Sequence, residues 1–201
     1  MHRRARRSAQ PLGVGMSDVP SHLRPLYAHL LGLPVADPPK PWRKVVHAVG
    51  GLTDVAYDDS SDFLVVLSAT GRGAFDCRSG ELIARDEDDG NPDTLRLAID
   101  GIGPLKGKRL RTAGLHGGGL PLSSGGTEWW TLNLETLSWP DVSIFLTPPG
   151  NWIYGPLHGK PGDTTRIAIE SECRAVGFSP TGQSFVVATS SDVAIFSRAD
   201  A

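Results

Sequence analysis

Residues 52–76 (LTDVAYDDSSDFLVVLSATGRGAFD) and 173–198 (CRAVGFSPTGQSFVVATSSDVAIFSR) align without a gap at an offset of 121 positions. Val55 falls on Val176, Tyr57 on Phe178, Val65 and Val66 on Val186 and Val187, and Phe75 on Phe196. Each segment reads apolar, turn, apolar, turn, apolar. Short apolar runs between turns rich in Gly, Ser and Asp are strands rather than helices, because a helix needs a longer uninterrupted run. Gly 24 and Pro 16 among 201 residues punctuate the whole chain in the same way. An all-β body follows.

Around these two segments the pattern is thinner. Trp42–Val49 reads as a strand ahead of the first unit, and the Ser79–Gly80 turn leads into another at Glu81–Ala84. In the middle, residues 94–99, 108–115, 129–134, 142–147 and 165–169 are expected strands, with 151–157 as a weaker candidate. The segment GPLKGK at 103–108 recurs as GPLHGK at 155–160, which reads as a recurrent turn. One helix is expected, since Leu23, Leu26, Tyr27, Leu30 and Leu31 share the spacing of an apolar stripe. Ser21 would cap it, Pro25 is tolerable in its first turn, and Gly32 with Pro34 stops it. Such a helix should act as a lid on the β body, with partner docking as the alternative. The chain divides into a disordered basic extension (1–20), the helix with a Pro-rich connector (21–41), and the β domain (42–201).

Segments 55–75 and 176–196 resemble the core of a blade in the WD-repeat and related β-propeller families. The likeness lies in an apolar first strand, a turn like Ser179–Gly182, an apolar second strand and a third ending in an aromatic. The resemblance implies blade-like units of ~40 residues, so an offset of 121 spans three of them and the chain holds four. It also implies that Trp42–Val49 supplies the fourth strand of the last unit, sealing the ring, which removes sheet edges. The family's Trp-Asp pair is replaced by Phe75-Asp76 and Phe196-Ser197, and its Gly-His element has no counterpart. The expected fold is therefore all-β: a small or incomplete propeller-like array of antiparallel three- to four-stranded units with one N-terminal amphipathic helix. The alternative is a β-sandwich of two three-stranded repeats with a divergent insert.

Charge narrows the partners. Residues 1–15 hold four Arg and no acid, leaving 16 Lys+Arg against 22 Asp+Glu in the rest of the chain. An acidic body lacks the clustered cations that phosphate contacts require, so nucleic acid is not an expected partner. The Arg-rich start has no apolar run behind it to make a secretory signal, and no apolar stretch is long enough to span a bilayer. A cytoplasmic setting is expected, with Cys77 and Cys173 as free thiols.

The reactive motifs fail their own chemistry. His116-Gly117-Gly118-Gly119 resembles the oxyanion segment of lipases and esterases, but no G-x-S-x-G elbow exists. Its nearest stand-in, Ser179, is followed by Pro180, which has no N–H to donate. Gly103…Lys108 and Gly155…Lys160 are one residue short of a phosphate-binding loop. Gly90 in the acidic run 86–90 would put Arg85 and Arg96 where a calcium loop needs carboxylates. No metal or cofactor is expected, and His47, His116 and His158 have no spaced partner. The aromatics Trp129, Trp130, Trp139, Trp152 and Tyr154 cluster within 26 positions. Trp130 and Trp139 are expected in the core, while Trp129, Trp152 and Tyr154, beside Gly-rich loops, are expected on a partner face. The functional expectation is a non-enzymatic protein-interaction module of scaffold, regulatory or immunity-like type, of bacterial size and charge. Its contact residues would be His116, Trp129, Trp152, Tyr154, His158 and Lys160. The alternative is a divergent hydrolase or small-molecule binder built around His116 and His158, with Lys160 and Asp163.

Overall fold

The computed structural model describes residues 19–160 and 162–198. The expected basic extension thus lies almost wholly outside the described residues. A 3-10 turn at Ser21–Leu23 runs directly into helix α1 (Arg24–Gly32), with Pro25 in its first turn. Ser21 makes no side-chain cap, and Leu33 ends the helix in an extended conformation. Strands follow as β1 (Trp42–Ala48), β2 (Leu52–Tyr57), β3 (Phe63–Ser68), β4 (Gly71–Asp76), β5 (Glu81–Asp86), β6 (Ala98–Asp100), β7 (Arg109–Arg111) and β8 (Ala113–Gly114). The second half adds β9 (Thr131–Ser138), β10 (Asp141–Thr147), β11 (Thr165–Glu170), β12 (Cys173–Phe178), β13 (Ser184–Thr189) and β14 (Asp192–Arg198). The chain is all-β, with several antiparallel sheets and one short N-terminal helix.

The pairing registers of the head and tail agree. In the first sheet Val55 faces Val66, Tyr57 faces Leu64, and Leu64 faces Phe75. In the last, Val176 faces Val187, Phe178 faces Phe185, and Phe185 faces Phe196. Every one of these pairs is carried onto its counterpart by the 121 offset, and so is a bulge, between Leu52 and Asp54 in one and Cys173 and Ala175 in the other. The expected fourth strand is also present. β1 joins β14 in register from Trp42↔Arg198 to Ala48↔Asp192, so residues 42 and 198 share one ladder rung.

The sheets stack face to face. One face of β2–β4 packs on β12–β14 through Leu52, Val55, Val66, Val186, Val193 and Ile195. The other face of the β12–β14 sheet packs on β9–β11, where Trp42, Phe178, Phe185 and Phe196 meet Leu132, Ile144 and Ile167. Phe185 and Phe196 are stacked at 4.3 Å, and Trp42 closes on Phe185 at 4.9 Å. Aromatic contacts of this kind add about 0.5–1.5 kcal/mol each beyond their buried area.

The two ends of the stack are covered. At one end, Ile99, Ile102, Leu105 and Leu110 around β6 and β7 cover Ala56, Val65, Leu67 and Ala74. At the other, Leu26 and Leu30 of α1 pack on Leu137, Phe145 and Ile153. The helix is a lid, as its stripe predicts. The connector after it runs beside β11, with Val35 bridged to Arg166 and the Ala36 amide donating to the Arg166 carbonyl.

Sequence and structure part in the middle of the chain. The strand expected at 94–99 is a turn that becomes β6 only at Ala98, and 108–115 splits into β7 and β8. The candidate strand at 151–157 is a loop with a 3-10 turn at Gly155–His158. GPLKGK likewise begins with a 3-10 turn, at Gly103–Leu105, so the recurrent turn is real.

Candidate interaction surface

The loop between β10 and β11 gathers four of the expected contact residues. Pro148, Pro149 and Gly150 end β10 sharply, and backbone bonds from Gly155 to Trp152, Leu157 to Tyr154 and Lys160 to Gly155 fold the loop into compact turns. Ile153 anchors it from beneath, buried beside Leu26 and Phe145. The residues on either side of it, Trp152 and Tyr154, stay exposed. Trp152 remains 53% exposed, stacks on His158 at 5.1 Å with 11° between the rings, and meets Tyr154 edge-on at 5.3 Å. The result is a rigid aromatic plate on the surface, because each ring is braced by its neighbour. Lys160 is exposed just beyond it.

Trp129 lies apart from the plate but at the same end of its sheet, since Thr131 pairs with Thr147, from which the loop departs. It is exposed while Trp130 is buried, as expected of adjacent residues on a strand edge. Trp139 corrects the expectation of a core position: it is 57% exposed, at the β9–β10 hairpin tip beside Pro140. A hairpin tip has no layer above it, so a large side chain there stays in water.

His116 is held elsewhere. Its Nδ1–H donates to the buried Asp54 carboxylate at 2.7 Å, and its backbone N–H reaches the same group at 3.3 Å. Asp54, on β2, thus holds the ring of His116, which stands just past β8. No described cleft is lined by both His116 and His158. The third histidine, His47, sits 2.7 Å through Nε2 from the Gly80 carbonyl and 4.9 Å from the Phe75 ring. These three rings serve three separate places.

In the two roomier clefts Arg72 and Arg198 are already paired. One of about 640 Å³ lies beside Arg72, whose guanidinium donates to the Asp86 carboxylate at 2.7 Å and to the Asp88 and Asp100 carbonyls. Another, of about 530 Å³, is bordered by Arg198, which is 2.7 Å from Glu128. Among the described residues no group of three or more His, Cys, Asp or Glu side chains is placed to hold a metal ion. No helix among them is long and apolar enough to cross a membrane. Both cysteines are free thiols.

Two features were beyond sequence reasoning. One is a clamp between the matching turns of the first and last units. Asp62 accepts hydroxyl bonds from Ser179 and Ser184 at 2.6 Å each and from Thr181 at 2.8 Å. The partners are more than a hundred positions away, so only the fold brings them together. The other is an apolar groove of about 210 Å³ between α1 and β9, where Leu26, Leu30 and Leu137 meet Tyr154 and Glu135. Glu135 could have been noticed as the one acid in β9 on the covered face.

This geometry defines a class, an all-β protein of stacked antiparallel sheets with an exposed aromatic plate. Comparison of the chain with protein-family models, with curated proteins and with solved structures gives no match.

Proposed function

We propose that the chain is a cytoplasmic, non-enzymatic protein-interaction module of propeller-like units, which binds another protein through the surface around Trp152. The observation that carries this reading is the plate itself. Trp152, Tyr154 and His158 are exposed yet mutually braced. Aromatic anchors of low conformational freedom lose little entropy on binding, and Trp and Tyr are enriched among residues that dominate interface energies. The shared registers of the head and tail, and the seating of β1 on β14, support the propeller-like description. His116, engaged with Asp54 away from the plate, and Trp129 are secondary contacts of the same module.

The test compares the protein with a Trp152→Ala, Tyr154→Ala double variant as bait in native lysate, scored by stoichiometry. The expected result is a stoichiometric partner held by the parent and lost by the variant, with an unchanged melting temperature. A partner retained equally by both, or none at stoichiometric level, overturns the reading.

A further inference from the structure

We infer that the open edge of β9 and the groove under α1 receive an extended segment of a partner protein, one that carries a basic side chain between apolar ones. The inference rests on the interaction-module reading and names the chemistry of its partner.

Edges decide where a strand can be added. In the sheet order β11-β10-β9, the β11 side is shielded by the connector through Val35 and Ala36. Among the described residues the β9 side is paired only at its start, where the Leu132 amide donates to the Leu122 carbonyl and Ser123 bridges Thr131. Because Leu132 points its N–H outward, alternation points that of Leu134 outward too. No backbone partner meets Leu134, Glu135 or Thr136 on that side among the described residues. Two other outer strands carry charged guards, Arg43 and Lys44 on β1 and Glu81, Arg85 and Asp86 on β5. The open length of β9 holds a half-exposed Leu134 and a single charge.

That charge sets the partner's sign. Glu135 lines the groove beside Leu26, Leu30, Leu137 and Tyr154 and has no hydrogen bond or ion pair among the described residues. Arg166 of β11 is committed to the Ser143 hydroxyl and the Leu33 carbonyl. Desolvation by its apolar surroundings pushes the Glu135 carboxyl above its usual range. A cation arriving between apolar side chains would relieve that cost while the apolar flanks fill the groove. Tyr154 lines the same opening, where an aromatic ring can take a guanidinium.

The test titrates the intact protein with a capped heptapeptide in which Leu, Arg and Leu alternate with Thr, reading backbone amide shifts. Its controls are a twin with Glu in place of Arg, and an N-methylated copy lacking the edge-pairing donors. Expected are shifts centred on residues 134–137, about tenfold tighter binding of the Arg peptide than of its Glu twin, and loss of binding by the N-methylated copy. In a Glu135→Lys variant the preference should invert. No binding, equal affinity for the twins, or shifts elsewhere overturn the inference, as does a dimer of this chain that already occupies the edge. Should the peptide fail while Trp152 and Tyr154 remain necessary for the stoichiometric partner, the groove inference falls and the module reading stands.

Discussion

Asp62 is the residue whose loss should be felt most widely. It sits in the turn between β2 and β3, yet accepts three hydroxyl bonds from the turn between β12 and β13. Hydrogen bonds to a buried charge are worth more than neutral ones, and losing the acceptor orphans the donors. Asp62→Ala should cost about 2–4 kcal/mol, read as a lower midpoint in urea, with Asp62→Asn recovering only part. Asp58, one turn away, gives a pH-dependent counterpart. Burial alone would raise its carboxyl, but the Lys108 ammonium at 2.6 Å and the Ser61 and Ser60 hydroxyls outweigh that and hold it below the usual range. A carboxyl lowered on folding stabilises the protein above its unfolded value near pH 4 and loses that contribution as the pH falls through the folded value. Lys108→Met should therefore be less stable than the parent at pH 7, by on the order of 0.5–1 kcal/mol because Lys108 is half exposed. The two should converge at pH 2–3, as urea melts at both pH values would show. The thiols differ in the same measurable way. Burial pushes Cys173 up to about 11 and Cys77 higher still. At pH 8 about one Cys173 in a thousand is thiolate, so a disulfide reagent should label it slowly and Cys77 only on unfolding.

At the scale of elements, α1 is the informative one. Its two buried leucines are the main apolar cover over Phe145 and Leu137, so the helix stands where a further sheet would otherwise be needed. Leu30→Ala should cost about 2–4 kcal/mol, and a Leu26→Asp, Leu30→Asp pair should leave an open sheet face that binds a hydrophobic dye. If the dye signal and melting temperature stay at parental levels, the lid role is wrong. The helix was legible in the sequence because its apolar positions recur on a helical period, and β2–β4 and β12–β14 because short apolar runs stand between turns. Val65 and Val66, or Val186 and Val187, can be adjacent and both buried because their sheets are covered on both faces. β6, β7 and β8 are two or three residues long, so no pattern has room to appear. Trp139 misled for a related reason. Its size argues for burial, but its place beside Pro140 at a hairpin tip decides against it. Of the candidate site, the outward set Trp152, Tyr154 and His158 was readable as residues. Their mutual stacking was not, because it depends on a 3-10 turn where a strand was expected.

For the molecule as a whole, order is built from distant pairings. β1 meets β14 across some 150 positions of chain, and the Asp62 clamp spans 117 to 122. Chains dominated by such contacts fold slowly and unfold together. One cooperative transition is expected, with amides at the β13–β14 centre exchanging last. A truncation after Ser190 should lose the transition rather than shift it, and a truncated chain that still melts cooperatively would contradict this. The shared rung of residues 42 and 198 also bears on biosynthesis. At 5–20 residues per second, β1 leaves the ribosome on the order of 10–30 s before its neighbour exists. Trp42 and Val45 must wait through that interval without the surface that later hides them. A cell making this protein has to shield β1 from other chains until translation is over.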